Sequence, residues 1–259
     1  MLIILQKLGG GFMKFSSKDF GGSPKNININ PQQTATHTET HQISDINAFV
    51  KRTYQLLAGS LIAGAVGAYV GMGFVGNMVN YATGSLTFTY WGAVILEFIL
   101  LFGIYAAKDK TPLNLVLLFA FTFMTGFTLA PTFYYFIKND MGYVIGEAFG
   151  LTAVAFGALT IFAMNTKRDF TTMGKMLFIA LIIMVVAGIV NIFLVNQTFQ
   201  LIIASVGAVL FSFFILYDTQ NIIRGNVSSE IEAAVSLYLD FLNLFISLLQ
   251  ILGFLNNEE

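Results

Sequence analysis

"LIIASVGAVLFSFFILYDTQNIIR", Leu201 to Arg224, sets an aspartate, Asp218, at the foot of a run that otherwise reads as hydrocarbon. A bilayer core of ~30 Å takes ~20 helical residues to cross, and this run is long enough to do so. At ~1.5 Å of rise per residue, Asp218 lies ~9 Å from the end marked by Arg224. The next apolar segment repeats the oddity: "LYLDFLNLF", Leu237 to Phe245, carries Asp240, which lies ~15 Å in from the same end. An ionisable side chain left in hydrocarbon costs roughly 2.5 to 3.5 kcal/mol, so intramembrane carboxylates mark functional candidates. The plainer alternative is a polar residue that only glues helices together.

Outward from that stretch, the chain of 259 residues is 56% hydrophobic and 10% charged, with a mean hydropathy of +0.75. Soluble domains carry about 25% charged residues, so the composition is that of an integral membrane protein. Seven apolar segments emerge, at residues 53–77, 87–107, 113–137, 142–164, 173–195, 200–223 and 230–254, separated by short polar breaks such as "KDKTP" and "RGNVSSE". The last break offers Ser228 or Ser229 as a cap for the seventh helix. Lys51, Arg52, Lys108, Lys110, Lys167, Arg168 and Arg224 fall on one side of this seven-span layout and Lys138 on the other. The positive-inside rule then places the N-terminus in the cytoplasm. In the first span Ala63, Gly67 and Gly71 form a small-residue face suited to close helix packing.

Residues 16–48 are rich in Asn, Gln, Thr and Ser, a composition that predicts disorder, and residues 1–48 together are expected to form a polar, disordered cytoplasmic tail. The start "MLIILQKLGGGFMKF" has no basic residues ahead of its short apolar run, unlike a signal peptide. The membrane domain is accordingly expected over residues 49–259.

Glu97, Asp218 and Asp240 lie inside spans, and Glu147 lies near the end of the fourth. Ser236, Asp240, Asn243, Ser247 and Gln250 recur at steps of four and three, which lines them along one face of the seventh helix. Such a face packs against other helices or borders water. The short link between the sixth and seventh spans makes them antiparallel neighbours, so that Asp218 and Asp240 can face each other. Glu97 and Lys108 are three turns apart on a continuous second helix, which brings Lys108 to the end where Asp218 lies.

Two carboxylates within hydrogen-bond range cannot both ionise cheaply, so one proton is shared and the pair senses pH. Oxygen ligands suit a hard ion such as calcium. Two carboxylates and the amide of Asn243 are too few for a tight site, which leaves Asp218 and Asp240 as a weak calcium site suited to permeation and calls for no cofactor.

Other chemistries find little support. The net charge of −1 offers no basic field for nucleic acid, and the absence of cysteine excludes thiolate sites and a cysteine nucleophile. No GxSxG motif or intramembrane histidine points to an enzyme. His37 and His41 in "HTETH" lack the H-E-x-x-H arrangement of a zinc site.

Four blocks, "VKRTYQLLAGSLIAGAVGAYVG", "KTPLNLVLLFAFTFMTGFTLAPTF", "LYDTQNIIR" and "LYLDFLNLF", in that order across seven spans, resemble the Bax inhibitor family of membrane proteins, its bacterial branch in particular. The resemblance implies an all-α bundle of seven helices with the last one central. It also implies a pH-sensitive calcium leak controlled by aspartates at the positions of Asp218 and Asp240, with Glu97 at the position of a helix-two glutamate. Related bacterial proteins have an arginine at the cytoplasmic end of helix two that latches to the helix-six aspartate, where this chain has Lys108. The expected cycle is that ionised Asp218 holds Lys108 and closes the cytoplasmic mouth, and that protonation releases it. Calcium and the lipid bilayer are the implied partners, and a bacterial inner membrane the implied location. Some bacterial members resemble modulators of a membrane protease, which makes a non-transporting regulator the alternative.

Overall fold

The computed structural model describes residues 34–256, with side chains from residue 45 onward. Seven long helices carry the fold: α1 Thr34–Met72, α2 Phe88–Ala106, α3 Leu113–Lys138, α4 Gly142–Asn165, α5 Gly174–Leu194, α6 Gln197–Ile223 and α7 Glu230–Asn256. All seven contain a span long and apolar enough to cross a membrane. The chain is an all-α polytopic membrane protein.

Two boundaries differ from the sequence reading. Helix α1 begins at Thr34 rather than near residue 49, so the end of the predicted tail is helical backbone. The disorder predicted for residues 1–33 lies outside the described residues, as do the side chains of His37 and His41. The first span also stops at Met72 instead of 77: the amides of Gly73 and Phe74 bond back to Val70 and Gly71. A one-turn helix, Val75–Met78, and a small antiparallel hairpin of β1 (Val79–Asn80) and β2 (Ser85–Leu86) follow.

Local chemistry sets the helix starts. Thr87 accepts the amide of Tyr90 at the head of α2, and Asn196 accepts that of Phe199 at the head of α6. Ser229 Oγ accepts the amide of Glu232 at 3.5 Å, one of the two caps expected for the last helix. Glu230 and Glu232 then lie in its first turn, where negative charge suits the positive end of the helix dipole.

Packing explains the layout. Helix α7 buries 72% of its apolar window inside the protein, against 28–44% for the other spans, so it is the central helix. Helices α1 and α3 meet backbone to backbone. A Cβ added at Gly67 would come 1.9 Å from the Phe123 carbonyl oxygen, and one at Gly126 would come 1.9 Å from that of Gly64. The small-residue face of α1 is thus a packing surface. Further along, Pro131 within α3 has no N–H to bond the Phe127 carbonyl. Gly71 lets α1 approach that carbonyl, since a Cβ there would come 2.7 Å from its oxygen.

Candidate functional site

Asp218 and Asp240 are 2% and 0% exposed, on helices α6 and α7 that pack side by side. The site is therefore inside the bundle rather than on its lipid face, and each carboxylate takes part in an interaction there. The polar stripe of α7 faces inward with them: Ser236, Asn243 and Ser247 are buried and Gln250 is half-buried. Asn243 Nδ2 donates to the Leu239 carbonyl at 2.7 Å, which satisfies its amide within the helix and leaves its oxygen for neighbours. Among the described residues no group of three or more His, Cys, Asp or Glu side chains is placed to hold a metal ion. Tight calcium binding takes about six to eight oxygen ligands, more than a pair of carboxylates supplies.

Glu97 is also buried, at 1% exposure, and one of its contacts is with α3. It accepts a hydrogen bond from Thr128 Oγ1, while Thr125, one turn back, bonds the Tyr238 hydroxyl of α7. Tyr238 in turn donates to the Thr122 carbonyl at 3.2 Å. Thr122, Thr125 and Thr128 recur every third residue and tie α2 to α7 across the core. These threonines and Tyr238 are site neighbours that the sequence reading did not single out, although a hydroxyl every three residues in an apolar helix was a visible signal.

Lys108, the residue expected to latch, pairs with Glu232, Nζ to Oε1 at 3.4 Å. Helix α2 ends at Ala106, where the amide of Ala107 bonds back to Gly103 and Ile104, so Lys108 does not share a helical face with Glu97. It sits in the following turn, beside the first turn of α7. The same end of the bundle carries Arg52–Glu230 at 3.4 Å and Arg224–Asp169 at 2.7 Å. Bonds from Thr171 and Arg224 hold the exposed Asp169 carboxyl at about 2, below its ordinary value of 3.8. Gln220, one turn before Arg224, accepts the Phe170 amide at 2.7 Å and donates to the Arg168 carbonyl at 2.8 Å. The loop between α4 and α5 is thereby fastened to α6 within a turn of Asp218. Glu147, on α4, is exposed.

At the opposite end, a cavity of about 360 Å³ between α5, α6 and α7 is lined by Asn191, Gln200, Asn243, Ser247 and Gln250 among others. The sequence stripe supplied three of these, while Asn191 and Gln200 come from other helices and were missed.

The family model described as "Inhibitor of apoptosis-promoting Bax1" matches residues 46–257. An uncharacterized protein of Campylobacter jejuni is 50% identical over 221 residues, 85% of this chain and 94% of that protein. An uncharacterized membrane protein of Vibrio cholerae is 36% identical over 216 residues, 83% of this chain and 93% of its own length. A protein of vaccinia virus named "Golgi anti-apoptotic protein" is 41% identical over 162 residues, 61% of this chain and 66% of its own.

Proposed function

The chain belongs to the Bax inhibitor family, and for this member we propose a pH-gated calcium leak worked by Asp218 and Asp240. The observation that carries the reading is the burial of both carboxylates on packed neighbouring helices, one of them the central helix. It is a passive pathway with no enzymatic step and no resident cofactor. The bacterial relatives favour an inner-membrane location, and the basic residues 51, 52, 108, 110, 167, 168 and 224 favour the end that holds the three ion pairs as the cytoplasmic one.

One proton shared between the two aspartates makes a charge-assisted hydrogen bond that ties α6 to α7, about twice as strong as a neutral one. A second proton removes the charge, weakens the tie and lets the helices part. Glu97 adds a third buried carboxylate along the path, and Asn243 offers a neutral oxygen ligand one turn beyond Asp240. Calcium binds weakly on so few ligands and passes.

Calcium flux into liposomes between pH 8 and pH 6 tests this. The native protein is expected to leak more as pH falls, while Asp218→Asn and Asp240→Asn each flatten the response. Unchanged pH dependence in either variant sinks the gate. A vaccinia relative named as anti-apoptotic favours a second reading, a regulator without transport that acts on a partner such as a membrane protease. Folded native protein with no flux above empty liposomes would select it.

A further inference from the structure

The cavity at the end of the bundle opposite the ion pairs has no place yet in the leak. Its lining contains no ionisable side chain, yet it is rich in carboxamides drawn from three helices. Those carboxamides form a directed chain: Asn191 Nδ2 donates to Gln200 Oε1 at 2.8 Å, and Gln200 Nε2 donates to Gln250 Oε1 at 2.7 Å. Asn243 Nδ2 is engaged with the Leu239 carbonyl. The amide nitrogens of Asn191, Gln200 and Asn243 thus each have a protein acceptor, and an amide oxygen that accepts one such bond keeps a spare lone pair. Gln250 to Asn243 spans ~10 Å along α7, and Asn243 lies one turn from Asp240. The cavity therefore runs from the bundle end toward the buried acids.

We propose that this cavity is a binding vestibule for a hydrated cation, held on carboxamide oxygens before it reaches the aspartate pair. Oxygen dipoles that replace part of a hydration shell are the usual material of cation filters. Low-dielectric walls above buried acids focus a potential that favours positive charge. Neutral ligands hold the ion loosely at every pH, so the vestibule selects what enters while the aspartates decide when it passes. What happens beyond Asn243 rests on the leak reading.

The chain contains no cysteine, so single cysteines can be read without background. Ser247→Cys and Gln250→Cys place a thiol at mid-depth and near the mouth, and Val235→Cys, buried away from the cavity, is the control. In proteoliposomes, cationic methanethiosulfonate is expected to modify the first two from the side of residues 195–197, about tenfold faster than an anionic analogue. Millimolar calcium should slow it severalfold, and Val235→Cys should stay unreactive. Equal rates for the two reagents, no protection by calcium, or no reaction at either position in folded protein would overturn the vestibule. Flux measured on the same vesicles separates the two claims: protected thiols in a protein that passes no calcium would sink the leak and leave the vestibule standing.

Discussion

Val195 closes α5 with φ 49° and ψ 41°, a left-handed backbone that β-branched residues rarely adopt. It stands at the rim of the carboxamide cavity, and local strain held at such a place is a mark of functional sites. The left-handed conformation costs a side-chain-bearing residue about 1–2 kcal/mol, and asparagine tolerates it best among them. Val195→Asn is expected to raise the melting temperature in detergent by a few degrees, as differential scanning fluorimetry would show. Asp169 offers a test of charge. Its carboxyl is held at about 2 against an ordinary 3.8, so its contribution to stability is full above the higher value and is lost as pH falls through the lower. Carbon-13 NMR of the Asp169 carboxyl should titrate at about 2 in the native protein and move toward the ordinary value in Arg224→Gln. The exposure of this pair keeps its effect on melting small.

Helix contacts make sharper demands than helix existence. A Cβ at Gly67 would strike the backbone of α3, whereas a Cβ at Gly150 meets nothing within 4 Å. Gly67→Ala should therefore cost roughly 1–3 kcal/mol through forced separation of α1 and α3, while Gly150→Ala should be neutral or stabilising by up to ~1 kcal/mol. Melting temperatures of the two variants check the contrast. The same distinction explains what the sequence made legible. Seven spans stand out because hydropathy is a local property, and Asp218 and Asp240 stand out because burying charge is costly whatever the neighbours. The path of the chain after Ala106 is not local in that sense: it turns, and Lys108 meets Glu232 at the head of α7. The Asn191–Gln200–Gln250 chain joins three helices and has no periodicity in any one of them. The central position of α7 followed from family resemblance and not from its composition, which resembles that of the other spans.

At the scale of the molecule, one end of the bundle is bound, among the described residues, by the ion pairs Arg52–Glu230, Lys108–Glu232 and Arg224–Asp169. Two of them fasten the first turn of α7, so they restrain the helix that carries Asp240. Lys108→Met should raise the calcium leak at pH 8 by up to about fivefold, the worth of a partly exposed pair, and leave the pH response in place. Proteoliposome flux beside that of the native protein is the measure, and Glu232→Gln should match it.

The central helix is also the last of the seven to leave the ribosome. Until it arrives, Asp218 on α6 and the threonines of α3 wait in the membrane without their α7 neighbours, around a slot that nothing yet fills. Biosynthesis thus finishes from the middle, and a chain stopped before Glu230 should be cleared by quality-control proteases while the full chain persists. In pulse-chase labelling, the shortened chain is expected to decay first.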